Sequence, residues 1–172
     1  VRTYQEIEPN KILNLGDEGI FQPVHMAADD KGRIAVYDYG VDNLFLIDTS
    51  EKSVKQIGEG LGGGPKQFSN PTGLSYDSYN DHFWLTDPEQ ARISVWSVEG
   101  ELIKNISFHD ASSVPVRAVP VSGSSYVWLP KTYKENGFEL AISDHQTVVK
   151  ERLGKIRTKP THARFLKEGS IT

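Results

Sequence analysis

Cysteine is absent from the 172 residues, and methionine occurs once. Without thiols there are no disulfides, no thiol nucleophile and no cysteine-ligated zinc, although the lack of cysteine by itself selects no compartment. No apolar run approaches the roughly 18 residues that a membrane-crossing helix needs. Positive charge is scarce: 19 Lys and Arg stand against 23 Asp and Glu, for a net charge of -4. A general nucleic-acid binder would usually be basic. No stretch holds a long helical period, since Lys11 to Leu15 is short and meets Gly16. A Gly-x-Ser-x-Gly elbow is also missing, so no serine nucleophile can be inferred. Val1 opens the chain without a signal-like segment, and the chain reads as a processed or excised piece. What is present, 37% hydrophobic and 24% charged residues, suits one folded domain with a sizeable core rather than disorder.

Internal repetition decides the architecture. One unit begins at Phe21 with FQPVHMAADDKGRIAVYD and continues through NLFLID and SVKQIG. The next begins at Phe68 with FSNPTGLSYDSYNDHFWLTD, then RISVWS and ELIKNIS. A weaker third holds VPVRAVPVSGSSYVWLP, FELAIS and TVVKERLG, and a fourth opens at KPTHARFL. Pro23, Pro71, Pro115 and Pro160 index the register at spacings of 48, 44 and 45 residues. Each unit predicts four short strands separated by turns rich in Asp, Gly, Asn and Ser. Within the second strands, Ile34 to Tyr37 and Phe83 to Leu85 are apolar at successive positions. That pattern belongs to strands covered on both faces.

Short four-stranded sheets stacked through both faces describe an all-β β-propeller of antiparallel blades. The expected layout is a single propeller over 1–172, with blades at about 21–67, 68–114 and 115–157 and a further blade starting at 158–172. Residues 11–15, then Gly16 and Phe21 to Pro23, repeat the order of Val54 to Ile57, Gly58 and Phe68 to Pro71. They therefore read as a fourth, outermost closing strand. About three and a half blades cannot close a ring, which usually takes four to eight. Either the chain is partial, the reading favoured here, or protomers pair. A six-bladed ring would need on the order of 270 residues.

The run Gly58-Glu-Gly-Leu-Gly-Gly-Gly-Pro65-Lys-Gln-Phe68-Ser-Asn-Pro71 resembles the linker and first strand of NHL-repeat propellers. It is especially similar to bacterial six-bladed β-propeller proteins with a Gly-x-Gly-Pro-x-x-Phe linker. Phe83 to Asp87, Arg92 to Trp96 and Gly100 onward continue the pattern. In the third unit Pro130 stands where Asp38 and Asp87 stand, and the glycine linker shrinks to Leu153-Gly154-Lys155. The resemblance implies a binding platform, extracytoplasmic, periplasmic or an outer-surface lipoprotein. A few related propellers are hydrolases or lyases with a metal at the central channel.

The positions two after each proline are His25, Gly73, Arg117 and His162. First strands line the channel of a propeller, so these four are expected at one level near one mouth. His25 and His162 can contribute to a metal site. Arg117 beside them discourages a cation and suits an anionic ligand. The plainer reading is a polar, water-filled channel. Gly62-Gly63-Gly64-Pro65 lacks the Gly-Lys-Ser/Thr ending of a phosphate loop and reads as an inter-blade linker. Asp38 and Asp87 read as turn caps. Trp84, Trp96 and Trp128 are expected to pack between blades. His82, His109 and His145 share no spacing and read as surface residues. Asn105-Ile106-Ser107 matches a glycosylation sequon but falls in a strand.

Seven basic residues crowd Lys150 to Glu168, opposed only by Glu151 and Glu168. Lys150, Arg152, Lys155, Arg157 and Lys159 read either as a solvated face or as a docking patch for an anionic partner. The expected function is a non-catalytic interaction module for a protein, peptide or glycan, with no nucleic acid and no resident cofactor. A place as a subunit of a larger assembly is part of the same expectation. The alternative is a metal-dependent hydrolase or lyase with its site at the channel.

Overall fold

The structure is a computed structural model, and it describes residues 13–109, 114–130, 138–144 and 149–156. Among the described residues, twelve strands form three four-stranded antiparallel sheets in sequential order. The first holds β1 (Pro23–Ala28), β2 (Arg33–Asp38), β3 (Asn43–Asp48) and β4 (Ser53–Gln56). The second holds β5 (Gly73–Asp77), β6 (His82–Asp87), β7 (Arg92–Ser97) and β8 (Leu102–Ser107). The third holds β9 (Pro115–Ser122), β10 (Ser125–Pro130), β11 (Phe138–Asp144) and β12 (Val149–Ile156). These are the blades of an all-β propeller.

The continuous apolar runs are explained by burial on both faces. Along β6, Phe83 and Leu85 point toward the first sheet, where they join Tyr37, Leu44, Leu46 and Phe68. Trp84, between them, points the other way, into a core with Val95, Tyr126 and Trp128. Ring contacts mark both seams: Tyr37 meets Phe68 edge-on at 5.6 Å, and Trp84 meets Tyr126 at 5.4 Å. Trp96 lies in the first seam and Trp84 and Trp128 in the second, as expected of inter-blade tryptophans. Burying one such aromatic contributes roughly 3 kcal/mol. The outer strands β4 and β8 are mostly exposed.

The turns repeat in backbone where they differ in sequence. Gly32 and Asp81 have φ of 87° and 58°, Asp42 and Ala91 have 50° and 48°, and Lys52 and Gly100 have 52° and 87°. Each pair holds one turn position in the left-handed region, where glycine is at ease and an alanine costs about 1 kcal/mol.

The innermost strands lie side by side, β1 against β5 and β5 against β9. They share no backbone ladder. Side chains reach across instead: Thr72 Oγ1 donates to Val116 O at 2.5 Å, and Ser75 Oγ to Ala118 O at 3.0 Å.

The closing strand expected at 11–15 takes a different form. Residues 11 and 12 lie outside the described residues, and 13–19 are coil and turn. Backbone bonds from Asp17 to Asn14 and from Ile20 to Leu15 fold the chain into a turn there. The segment still covers the far face of the first sheet: Ile20 is buried with Val36, Phe45 and Ile47, and Leu13 and Leu15 pack against them. Phe21, read as the counterpart of Phe68, is 69% exposed, whereas Phe68 is 0% exposed and Ile20 only 2%. Residues 158–172, including His162, lie outside the described residues.

Candidate functional site

The strand registers put His25 opposite Tyr37, Gly73 opposite Thr86 and Arg117 opposite Leu129. These are matching positions on three neighbouring innermost strands. His25 is half-buried, and its Nε2 lies 3.2 Å from the Pro71 carbonyl at the start of the next blade. That contact is a hydrogen bond when the proton sits on Nε2, which leaves Nδ1 as the acceptor. Burial holds the His25 pKa below its usual value; the Pro71 carbonyl opposes this, and the charge of Arg117 adds to it. The imidazole is therefore neutral near pH 7.

Gly73 is buried, and a Cβ there would stand 3.3 Å from Arg117 Cγ. A side chain there would make the stem of Arg117 give by a few tenths of an ångström. Arg117 is exposed and has no ion-pair partner among the described residues. Pro23, Val24, His25 and Met26 of β1 line a hollow of about 250 Å³. Among the described residues, no three His, Asp or Glu gather as a metal cluster. His25 and Arg117 thus come within electrostatic reach of each other, with Gly73 against Arg117.

The basic positions fall on the third sheet. Lys150, Arg152 and Lys155 lie on β12, its outermost strand, with Arg152 opposite Ala141 and Lys155 opposite Glu139. Arg157 and Lys159 lie outside the described residues.

The glycine loop is a clamp on the scaffold. A phosphate loop aims amides at its ligand. Here carbonyls are aimed at side chains of the second sheet. Gly62 O accepts from Gln90 at 2.5 Å, Gly64 O from Arg92 at 3.0 Å and Pro65 O from Asn105 at 3.0 Å, while Gln67 O also accepts from Arg92. Arg92 is only 7% exposed, and desolvation lowers its pKa against the pull of Asp87. Sequence reading missed Arg92; its signal is a lone charge opening an otherwise uncharged third strand. The Asn105 amide also accepts from Ser94 Oγ at 2.8 Å, so the sequon is occupied by packing.

Asp38 and Asp87 are fully buried and act as turn caps. Asp38 accepts from the amides of Gln22 (2.5 Å) and Val41 (3.1 Å). Asp87 accepts from Ser69 (2.7 Å), Asn70 (3.3 Å) and Gln90 (3.3 Å). Each carboxylate ties the second-to-third-strand turn to the segment that feeds the first strand. On the opposite rim, Arg33 bonds Asp29 of its own sheet and reaches Asp81 of the next at 3.2 Å. Lys31 also meets Asp81 at 3.2 Å, and Tyr76 donates to it at 2.5 Å.

Residues 13–167 match the family described as "6-bladed beta-propeller". The chain belongs to that family. Among curated proteins none matches the sequence. Several solved structures share the propeller fold. A Bacteroides fragilis protein regarded as exported aligns with TM-score 0.64 and 11% identity over 91% of this chain and 42% of its own. Hydrazine synthase of Kuenenia stuttgartiensis aligns with TM-score 0.58 and 18% identity over 79% and 38%. A chain of a nidogen/laminin complex aligns with TM-score 0.57 and 15% identity over 79% and 48%. This propeller chain spans less than half the length of each. Among the described residues, no helix is long and apolar enough to cross a membrane.

Proposed function

We propose that this propeller of NHL-repeat type is a non-catalytic interaction module, extracytoplasmic in location, that holds a protein, peptide or glycan partner at its channel mouth. One observation carries the reading. His25, the channel group best suited to chemistry, is engaged with the Pro71 carbonyl and joins two blades, while Arg117 stands open to solvent. The mouth therefore offers a recognising charge rather than a reactive group. The exported neighbour and the neighbour within a protein complex agree with such a role by fold alone. In this reading the basic positions Lys150, Arg152, Lys155, Arg157 and Lys159 form a second contact, toward a larger assembly.

A second reading, a metal-dependent hydrolase or lyase, rests on the matched sequence positions of His25 and His162. One experiment separates the two. The purified protein and its Arg117→Glu and His25→Ala/His162→Ala variants are compared for retention of extracytoplasmic-fraction proteins and for bound metal. The module reading expects a retained partner that Arg117→Glu releases. Stoichiometric metal that disappears in the double histidine variant would overturn it in favour of the enzyme.

A further inference from the structure

The two outer flanks of the described blades are the two halves of one kind of seam. In the first seam, the first sheet contributes Ala27, Ala35 and Leu46, which stand opposite one another across β1, β2 and β3. The second sheet repeats this giving row in the second seam with Ser75, Trp84 and Val95. On the third sheet the matching row is Val119, Val127 and Ile142. Their chain neighbours Ala118, Trp128 and Ala141 are buried against the second sheet. Alternation along a strand turns the row itself to the opposite side. There Val119 is 52% exposed, and Val127 and Ile142 are only partly covered.

The first sheet carries the receiving half. Its row toward the far side is Met26, Val36 and Phe45. These hold the positions of Ala118, Trp128 and Ala141, which receive the second sheet. Ile20 covers Val36 and Phe45, and it stands to this sheet as Phe68 stands to the second. Met26, on the innermost strand, is left 67% exposed, with Val24 at 45%. Apolar rows this open mark surfaces that take a partner.

The two rows fit each other, and the family is six-bladed. Three of six blades span half a turn, so two such arrays meet at both flanks with nothing left over. We propose that two copies of this 172-residue chain close into one six-bladed ring, the third blade of each stacked on the first blade of the other about a two-fold axis along the channel. In the first seam Ala27 and Leu74 pack on the same core. The new seam sets Val119 of one copy at the place of Ala27 and Met26 of the other at the place of Leu74. Arg117 takes the place of His25, beside the Pro23 carbonyl of the second copy, as His25 lies beside that of Pro71. The channel mouth is therefore incomplete in one copy and gains its remaining wall from the other. This inference goes beyond the interaction-module reading and stands without it.

Sedimentation equilibrium over a concentration series weighs the 172-residue protein and its Met26→Glu and Val119→Lys variants. Both positions are largely open on a single copy, so the variants keep the fold, which an unchanged far-ultraviolet spectrum verifies. The ring expects a particle of twice 19.2 kDa and nothing larger, and 19.2 kDa for either variant alone. Mixing the two variants in equal amounts should restore the doubled mass. One seam of the mixed ring is then native on both sides, and the other sets Glu against Lys. A parent protein that stays at 19.2 kDa would overturn the proposal and leave the flanks to blades outside these 172 residues. A ladder of larger species would overturn closure. Doubled mass in either variant alone, or its absence from their mixture, would equally overturn the contact.

Discussion

The second and third blades are built on one plan and joined in different ways. In the second, Asp87 at the end of β6 collects three amides from the linker and the next turn, and Arg92 and Gln90 hold the glycine loop that leads in. In the third, Pro130 occupies the matching position, opposite Pro115, and the register slips there. A proline carries neither an acceptor side chain nor an amide donor. A blade can thus keep its stacked apolar faces, here Tyr126, Trp128 and Ala141, without an aspartate at the end of its second strand. The contrast separates what stacks a blade from what anchors its loops.

Removing the clamp should have the largest effect. Asp87→Ala leaves three amides without their acceptor and is expected to cost roughly 3 kcal/mol, seen as a lower denaturation midpoint. Pro130→Asp, at the matching place in the third blade, should change stability by less than about 1 kcal/mol. Equal effects at the two positions would mean that the blades do not differ as described.

The next effect concerns the rim between the first and second blades, under acid. Burial pushes the Asp29 carboxyl up, but bonds from Arg33 and Lys31 and the charge of Arg33 leave it below the usual value. The bond from Tyr76, with Lys31 and Arg33 beyond it, holds Asp81 down against a smaller effect of burial. Both carboxylates thus add stability that is complete above the ordinary aspartate pKa, about 4, and is lost as pH falls through their lower folded values. Arg33→Ala should flatten that acid limb in a series of denaturant melts. An unchanged limb would show that this rim contributes nothing to the seam.

The smallest effect lies at the innermost strands. Because the folded His25 pKa is lowered, its contribution is fully present above the unfolded value, near 6.5, and declines as pH falls through the folded one. Arg117→Gln removes one cause of the lowering. The His25 titration, followed by NMR, should move upward and the decline should shrink. A downward move would mean that Arg117 does not act on His25.

Much of the fold was legible because two-sided burial writes itself into strands such as Ile34 to Tyr37 and Phe83 to Thr86. The prolines, and the aspartates after the second strands, carried the register. The N-terminal segment was not legible. Gly16 and Phe21 mimic the order of Gly58 and Phe68, yet Ile20 fills the buried place. A one-residue shift in a coil leaves no periodicity to detect. The site was half legible. Spacing aligned His25, Gly73 and Arg117, but the bond from His25 to Pro71 joins different blades and has no local signature. The lone charge of Arg92 was visible but its role was not, since its partners are backbone carbonyls 25 and 28 residues away.

Face-to-face stacking of the sheets supports every other statement, and the aromatic seams report it directly. A proton NOE spectrum of the whole chain should contain ring-to-ring cross-peaks between Trp84 and Tyr126 and between Tyr37 and Phe68, whose centroids lie 5.4 and 5.6 Å apart. Their presence would place β6 against β10 and the linker phenylalanine against β2. Well-resolved rings with neither cross-peak would contradict the stacked-blade arrangement.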